Sequence, residues 1–113
     1  MNRQEYLDFI KATFDECHQL ATAKGADYCG VTDPFKNFRG YSLTGVSIPQ
    51  GILTRIIDKV SRAGNFISRG EAFMVVTEKL EDTLKDLLTY TVILLAYLES
   101  ERRKSQEEAI ESK

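Results

Sequence analysis

The chain has one histidine, two cysteines and two prolines in 113 residues. Cys17 and Cys29 form neither a CxxC pair nor a set of four ligands, and with His18 alone beside them no zinc site is readable. Reduced cytosolic thiols are the simplest reading. Cys17 and His18 are neighbours whose side chains diverge by about 100° on a helix, so they do not pair as nucleophile and base without another element. Cys17 reads as core and His18 as surface. An excess of positive charge is also lacking: 15 basic residues stand against 17 acidic, a net charge of −2, which argues against a partner held by bulk electrostatics such as a nucleic acid polymer. The longest apolar-rich stretch, Leu87 to Leu98, falls short of the roughly 20 residues that cross a bilayer, so no membrane partner is expected. The first residues, Met1 to Tyr6, contain no apolar core of a signal peptide, and a cytoplasmic location is expected. The glycines match neither a P-loop nor GxGxxG, so a phosphate would have to meet side chains and metal.

What the chain does contain is helical periodicity. Phe9, Ile10, Thr13, Phe14, Cys17, Leu20 and Ala21 recur at steps of three and four, which predicts an amphipathic helix over Arg3 to Lys24, stopped by Gly25. Ile52, Leu53, Ile56, Ile57, Val60 and Ala63 predict a second helix from Pro49 to Asn65. A third, opened by the capping-box pair Ser68 and Glu71, runs from Gly70 to about Arg103. Between the first two lies a glycine-bearing segment through Ile48 whose aromatics Tyr28, Phe35, Phe38 and Tyr41 predict an ordered loop folded back on the helices. The expectation is all-α: one domain over residues 1–104 with three main helices, and a charged tail over 105–113. Around Leu87 to Leu98 the third helix is apolar on nearly every side, which predicts association of helices between chains into an oligomeric bundle.

The pattern that points to chemistry is a set of carboxylates. Glu78, Asp82 and Asp86 recur at steps of four, along one stripe of the third helix. Each like-charged pair at that spacing costs a helix roughly 0.2 to 0.5 kcal/mol, so the stripe calls for cations, a metal or solvent. It continues toward Tyr90, Ile93 and Tyr97, that is, toward an apolar surface. Carboxylates fixed on helices suit Mg²⁺, with Asp58 on the second helix as a further ligand. Arg55, Lys59 and Arg62 beside Asp58 are candidate phosphate contacts. The same two stripes also read as structural salt bridges between the second and third helices.

Lys24 to Gly30, Asp33 to Phe38, Arg55 to Arg62 and Glu78 to Tyr90 together resemble the nucleotide-modification-associated domain family of phages, over most of residues 20–98. The pattern is also distantly similar to the MazG-type all-α nucleoside triphosphate pyrophosphatases, which are Mg²⁺-dependent helical oligomers. By position, the resemblance implies that Lys24, Asp27, Tyr28 and Asn37 line a nucleotide pocket and that Arg55, Lys59 and Arg62 contact phosphate. It implies Asp58, Glu78, Asp82 and Asp86 as metal ligands, with Glu78 and Asp82 as the catalytic pair. The chain departs from the MazG-type pattern, having no EExxE run on the second helix and no ExxD on the third, where Glu81 stands three residues after Glu78. Three functions follow as alternatives: a Mg²⁺-dependent pyrophosphohydrolase, a non-catalytic sponge that sequesters a cyclic or other nucleotide signal of host immunity, and a structural helical oligomer. A phage origin would place any of them in the host cytoplasm.

Overall fold

A computed structural model describes residues 1–28, 33–39, 43–69 and 73–112, with side chains described except in 24–28 and 73–78. Its helices are α1 (Arg3–Tyr28), α2 (Lys36–Arg39), α3 (Ile48–Arg69) and α4 (Phe73–Glu111), and no strand occurs among the described residues. The chain is all-α, with three long helices and one single-turn helix in the segment expected to be a loop.

Each helix is longer or differently bounded than the sequence periodicity predicts. α1 opens on a reciprocal cap: the Glu5 amide donates to Asn2 Oδ1 at 2.8 Å and the Asn2 amide donates to Glu5 Oε2 at 3.3 Å. It passes through Gly25, the expected stop, to Tyr28. A glycine inside a helix costs only about 1 kcal/mol relative to alanine, and Ala23 and Ala26 flank it with the best helix former. Ser47 caps α3, its Oγ accepting from the Gln50 amide at 3.3 Å while its own amide donates to Gln50 Oε1 at 3.0 Å. Pro49 then falls in the first turn, where its missing N–H leaves no helical bond unmade. α3 continues past Gly64 and Asn65 to Arg69, and half-buried Phe66, with the Arg62 guanidinium 5.8 Å from its ring centroid, gives those added turns something to pack. Ser68 therefore lies inside α3 instead of capping the next helix, and its expected partner Glu71 is outside the described residues. α4 carries the charged tail as helix through Glu111, beyond Arg103.

Between α1 and α3, Asp33 and Pro34 form a turn in which Asp33 Oδ1 accepts from the Phe35 amide at 3.0 Å and the Asp33 carbonyl from the Lys36 amide at 3.3 Å. α2 follows, and Gly45 then holds φ at +78°, a conformation that favours glycine. Of the four aromatics in this segment, Phe35 and Phe38 are buried, and the side chains of Tyr28 and Tyr41 are outside the described residues.

The chain divides into two compact units, Met1–Asn37 and Phe38–Lys113. In the first, Cys17 and Phe35 are buried and His18 is exposed, while Phe9, Phe14 and Leu20 of the predicted stripe stand in solvent. The second is built on α3 packed against α4. Of its buried positions on α3, Ile52 and Ala63 recur at three and four with half-buried Ile56, Lys59 and Phe66, and Gly51 is buried next to Ile52. Leu53, Ile57 and Val60, assigned to the same stripe by periodicity, are exposed. Their apolar character alone does not distinguish the two flanks of the helix.

Candidate functional site

α3 and α4 are separated by three residues, so two long helices in contact must run antiparallel as a hairpin. An ion pair across them sets the register: Lys59 Nζ lies 3.2 Å from Asp86 Oδ2. Counted along both helices at 1.5 Å per residue from that pair, Ala63 comes to about the level of Asp82, Arg55 to that of Tyr90 and Ile48 to that of Tyr97. α4 beyond Tyr97 consequently runs past the start of α3. There it supports itself, with the Glu99 carboxylate accepting from Arg102 and, at 3.1 Å, from Arg103, and Lys104 Nζ lying 3.2 Å from Glu101 Oε1. Those two guanidinium groups hold the Glu99 carboxyl down at about 2, and Glu99 in turn raises Arg102.

The helical repeat of 3.6 residues turns this register into two distinct faces. On α3, Arg55 and Arg62 lie roughly 70° to one side of fully buried Ile52, and Leu53, Ile57, Val60 and Ile67 lie about 100° to the other. On α4, Asp82 and Asp86 lie roughly 60° to one side of Tyr90, and Leu84, Leu95 and Leu98 lie about 110° to the other. Reversing the direction of one helix reverses its sense of rotation. In an antiparallel pair the charged flanks of both helices thus share one side of the hairpin, and the exposed apolar flanks share the opposite side. The Lys59–Asp86 pair sits at the charged edge.

On that charged side, Arg55, Asp58, Arg62 and Asp82 are exposed, and Lys59 and Asp86 are partly buried. Arg55, Lys59 and Arg62 span about 10 Å along α3 at 1.5 Å per residue. Arg62 is steadied by the Phe66 ring. Among the described residues Arg55 and Asp82 take part in no ion pair, which leaves both able to meet a solute. Tyr90, level with Arg55, is half-buried and packs edge-on against Phe38, with ring centroids 6.4 Å apart and planes at 83°. A phenol at about the level of the Arg55 guanidinium offers an aromatic surface near a phosphate donor. Sequence periodicity placed Tyr90 on the continuation of the acidic stripe but gave no sign of its pairing with Phe38.

The remaining candidates are distributed as follows. Asn37 is exposed and belongs to the first unit. The side chains of Lys24, Asp27, Tyr28 and Glu78 are outside the described residues. Among the described residues no three histidine, cysteine, aspartate or glutamate side chains gather to hold a metal. Asp86 has the Lys59 ammonium at its carboxylate, which supplies part of the cationic compensation that the acidic stripe calls for. A fully protein-built cage is therefore not assembled by Asp58, Asp82 and Asp86. Mg²⁺ carried on a polyphosphate, however, keeps several waters and asks only one or two carboxylates of the protein, and exposed Asp82 meets that requirement.

No family model, no curated protein and no solved structure matches this chain.

Proposed function

We propose that the charged side of the α3–α4 hairpin binds the phosphates of a nucleotide. The observation that carries it is the gathering of Arg55, Lys59 and Arg62 on one side of the hairpin with Asp82 and Asp86, where Arg55 and Asp82 have no ion-pair partner among the described residues. Arginine presents a planar fork to a phosphate and lysine a point charge, so the three can meet successive phosphates along about 10 Å of helix. Tyr90 supplies an aromatic edge at the Arg55 end. Asp82, with Asp58 on the facing helix, would hold the Mg²⁺ that accompanies a triphosphate and neutralise part of its charge. Hydrolysis to a monophosphate and pyrophosphate would require a fuller carboxylate cluster to orient water, including Glu78. Binding without turnover, as in a sponge for a phage-relevant nucleotide signal, needs only the groups just described. The proposal includes self-association of the chain into a helical oligomer.

A screen of nucleoside triphosphates and cyclic nucleotides for thermal stabilisation, with and without Mg²⁺, tests this directly. A ligand at 100 times its dissociation constant adds about 2.7 kcal/mol. Chromatography of each hit then separates a binder, which returns the ligand intact, from a hydrolase. A panel in which no nucleotide raises the melting temperature would refute the proposal.

A structural role has one observation in its favour, the Lys59–Asp86 pair that bridges the two helices. Such a partly exposed pair contributes only about 0 to 1 kcal/mol, and it leaves Arg55 and Asp82 without a purpose. Asp82→Asn separates the two roles: loss of nucleotide binding at unchanged stability excludes a purely structural stripe.

A further inference from the structure

We infer that the phosphate row of the hairpin does not end at Arg62 but continues through Arg69 and Lys79, and that it takes a short single-stranded oligonucleotide. This rests on the nucleotide-phosphate reading above and names the class of its ligand. The apolar steps that predict α3 stop at Asn65, whereas the helix itself runs on to Arg69. Its last turn adds a cation to the row. Arg55, Arg62 and Arg69 follow one another at seven residues, and a straight helix drifts only about 20° over each such step, so all three belong to one flank of α3. On α4, Lys79 stands seven residues before Asp86 and therefore on the same flank of that helix. Counted from the Lys59–Asp86 pair, Lys79 comes to about the level of Phe66, between Arg62 and Arg69. Arg55, Arg62, Arg69 and Lys79 are all exposed, and among the described residues none of them takes part in an ion pair.

The length of the row selects the ligand. From Arg55 to Arg69 it covers about 21 Å of helix, twice the distance from Arg55 to Arg62. The phosphates of a nucleoside triphosphate are joined through single bridging oxygens, so one triphosphate engages Arg55, Lys59 and Arg62 and leaves the far end of the row unused. Sugars between the phosphates spread the same charges along the helix. A file of cations with an aromatic ring beside it is how proteins hold a single strand, the backbone tracking the charges while a base stacks on the ring. Tyr90, half-buried and set edge-on to Phe38, is that ring at the Arg55 end. Asp58, Asp82 and Asp86 on the same side, with a net charge of −2 for the chain, oppose the bulk attraction on which duplex binding depends. The row is thus matched to one strand and to a few phosphates.

Fluorescence anisotropy of labelled thymidylate dimer, tetramer and hexamer titrated with the full chain at several salt concentrations tests the inference, with circular dichroism as a check on folding. Affinity is expected to rise about tenfold or more from dimer to tetramer. For a single strand the logarithm of the affinity falls with the logarithm of the salt concentration by about 0.7 for each phosphate neutralised, so Arg69→Ala and Lys79→Ala should each lower the slope for the tetramer by about 0.7. Both should weaken the tetramer far more than thymidine triphosphate, which is too short to engage the whole row. Lys11→Ala, which removes an exposed cation of α1, should leave the slope as it is. An Arg69 that serves only the helix dipole in the last turn of α3 would lower the melting temperature on substitution and leave the slope alone, and that result overturns the inference. Equal affinity for dimer and tetramer overturns it too, as does inorganic polyphosphate of equal charge binding as tightly as the tetramer. Thymidine triphosphate that still binds in those cases leaves the nucleotide reading standing, whereas a chain that binds neither triphosphate nor oligonucleotide loses both.

Discussion

At the scale of single residues, the second unit rests on very few anchors. Ile52 is fully buried, and its replacement by alanine should lower stability by about 2 to 4 kcal/mol in urea unfolding, through lost transfer energy plus the cavity left behind. Glu99 illustrates how an exposed residue does local work. Its carboxyl, normally near 4.5, is held at about 2 by Arg102 and Arg103, so ionisation favours the folded helix. A depressed pKa contributes stability above the unfolded value and loses it as pH falls through the folded one. The difference in melting temperature between wild type and Glu99→Gln should therefore be present at pH 6 and disappear between about pH 4.5 and 2, as followed by circular dichroism. A difference that stayed constant over that range would show that the charge is not what Glu99 contributes.

At the scale of elements, caps and tight turns decide where helices begin, and packing decides where they end. Ser47→Ala removes the acceptor at the start of α3 and should cost about 1 kcal/mol in thermal or urea unfolding. Gly45→Ala forces a side chain into positive φ and should cost on the order of 1 kcal/mol by the same measurement, although open space surrounds the position. The all-helical character of the chain was legible in apolar steps of three and four, and so was the burial of Cys17; the short helix α2 was not. The ends were not. Gly25 and Gly64 are the strongest stop signals by residue type, yet each is crossed, because about 1 kcal/mol is less than the cost of abandoning the hydrogen bonds and packing of the following turns. The pairs Asn2 with Glu5 and Ser47 with Gln50 carried readable capping spacing, a signal as plain as that of Ser68 with Glu71. Only the fold shows that Ser68 lies inside a helix.

At the scale of the whole molecule, the two-sided hairpin links local chemistry to function. The acidic stripe and its cationic counterpart were visible in sequence, but only the register fixed by Lys59 and Asp86 brings Arg55, Lys59 and Arg62 to the same side as Asp82. The exposed apolar side was hidden for a physical reason. Leu53 and Ile52 are alike in hydropathy and adjacent in sequence, and which of them is buried depends on the crossing of α3 with α4. The central claim, that the charged side binds nucleotide phosphates, is tested most directly by isothermal titration calorimetry of the best-stabilising nucleotide into wild type, Arg55→Ala and Arg62→Ala. A charge-assisted hydrogen bond contributes about 1.5 to 3 kcal/mol, so each variant should bind at least tenfold more weakly while unfolding at nearly the wild-type temperature without ligand. Equal affinity in all three proteins, or no saturable heat in the wild type, would contradict the claim.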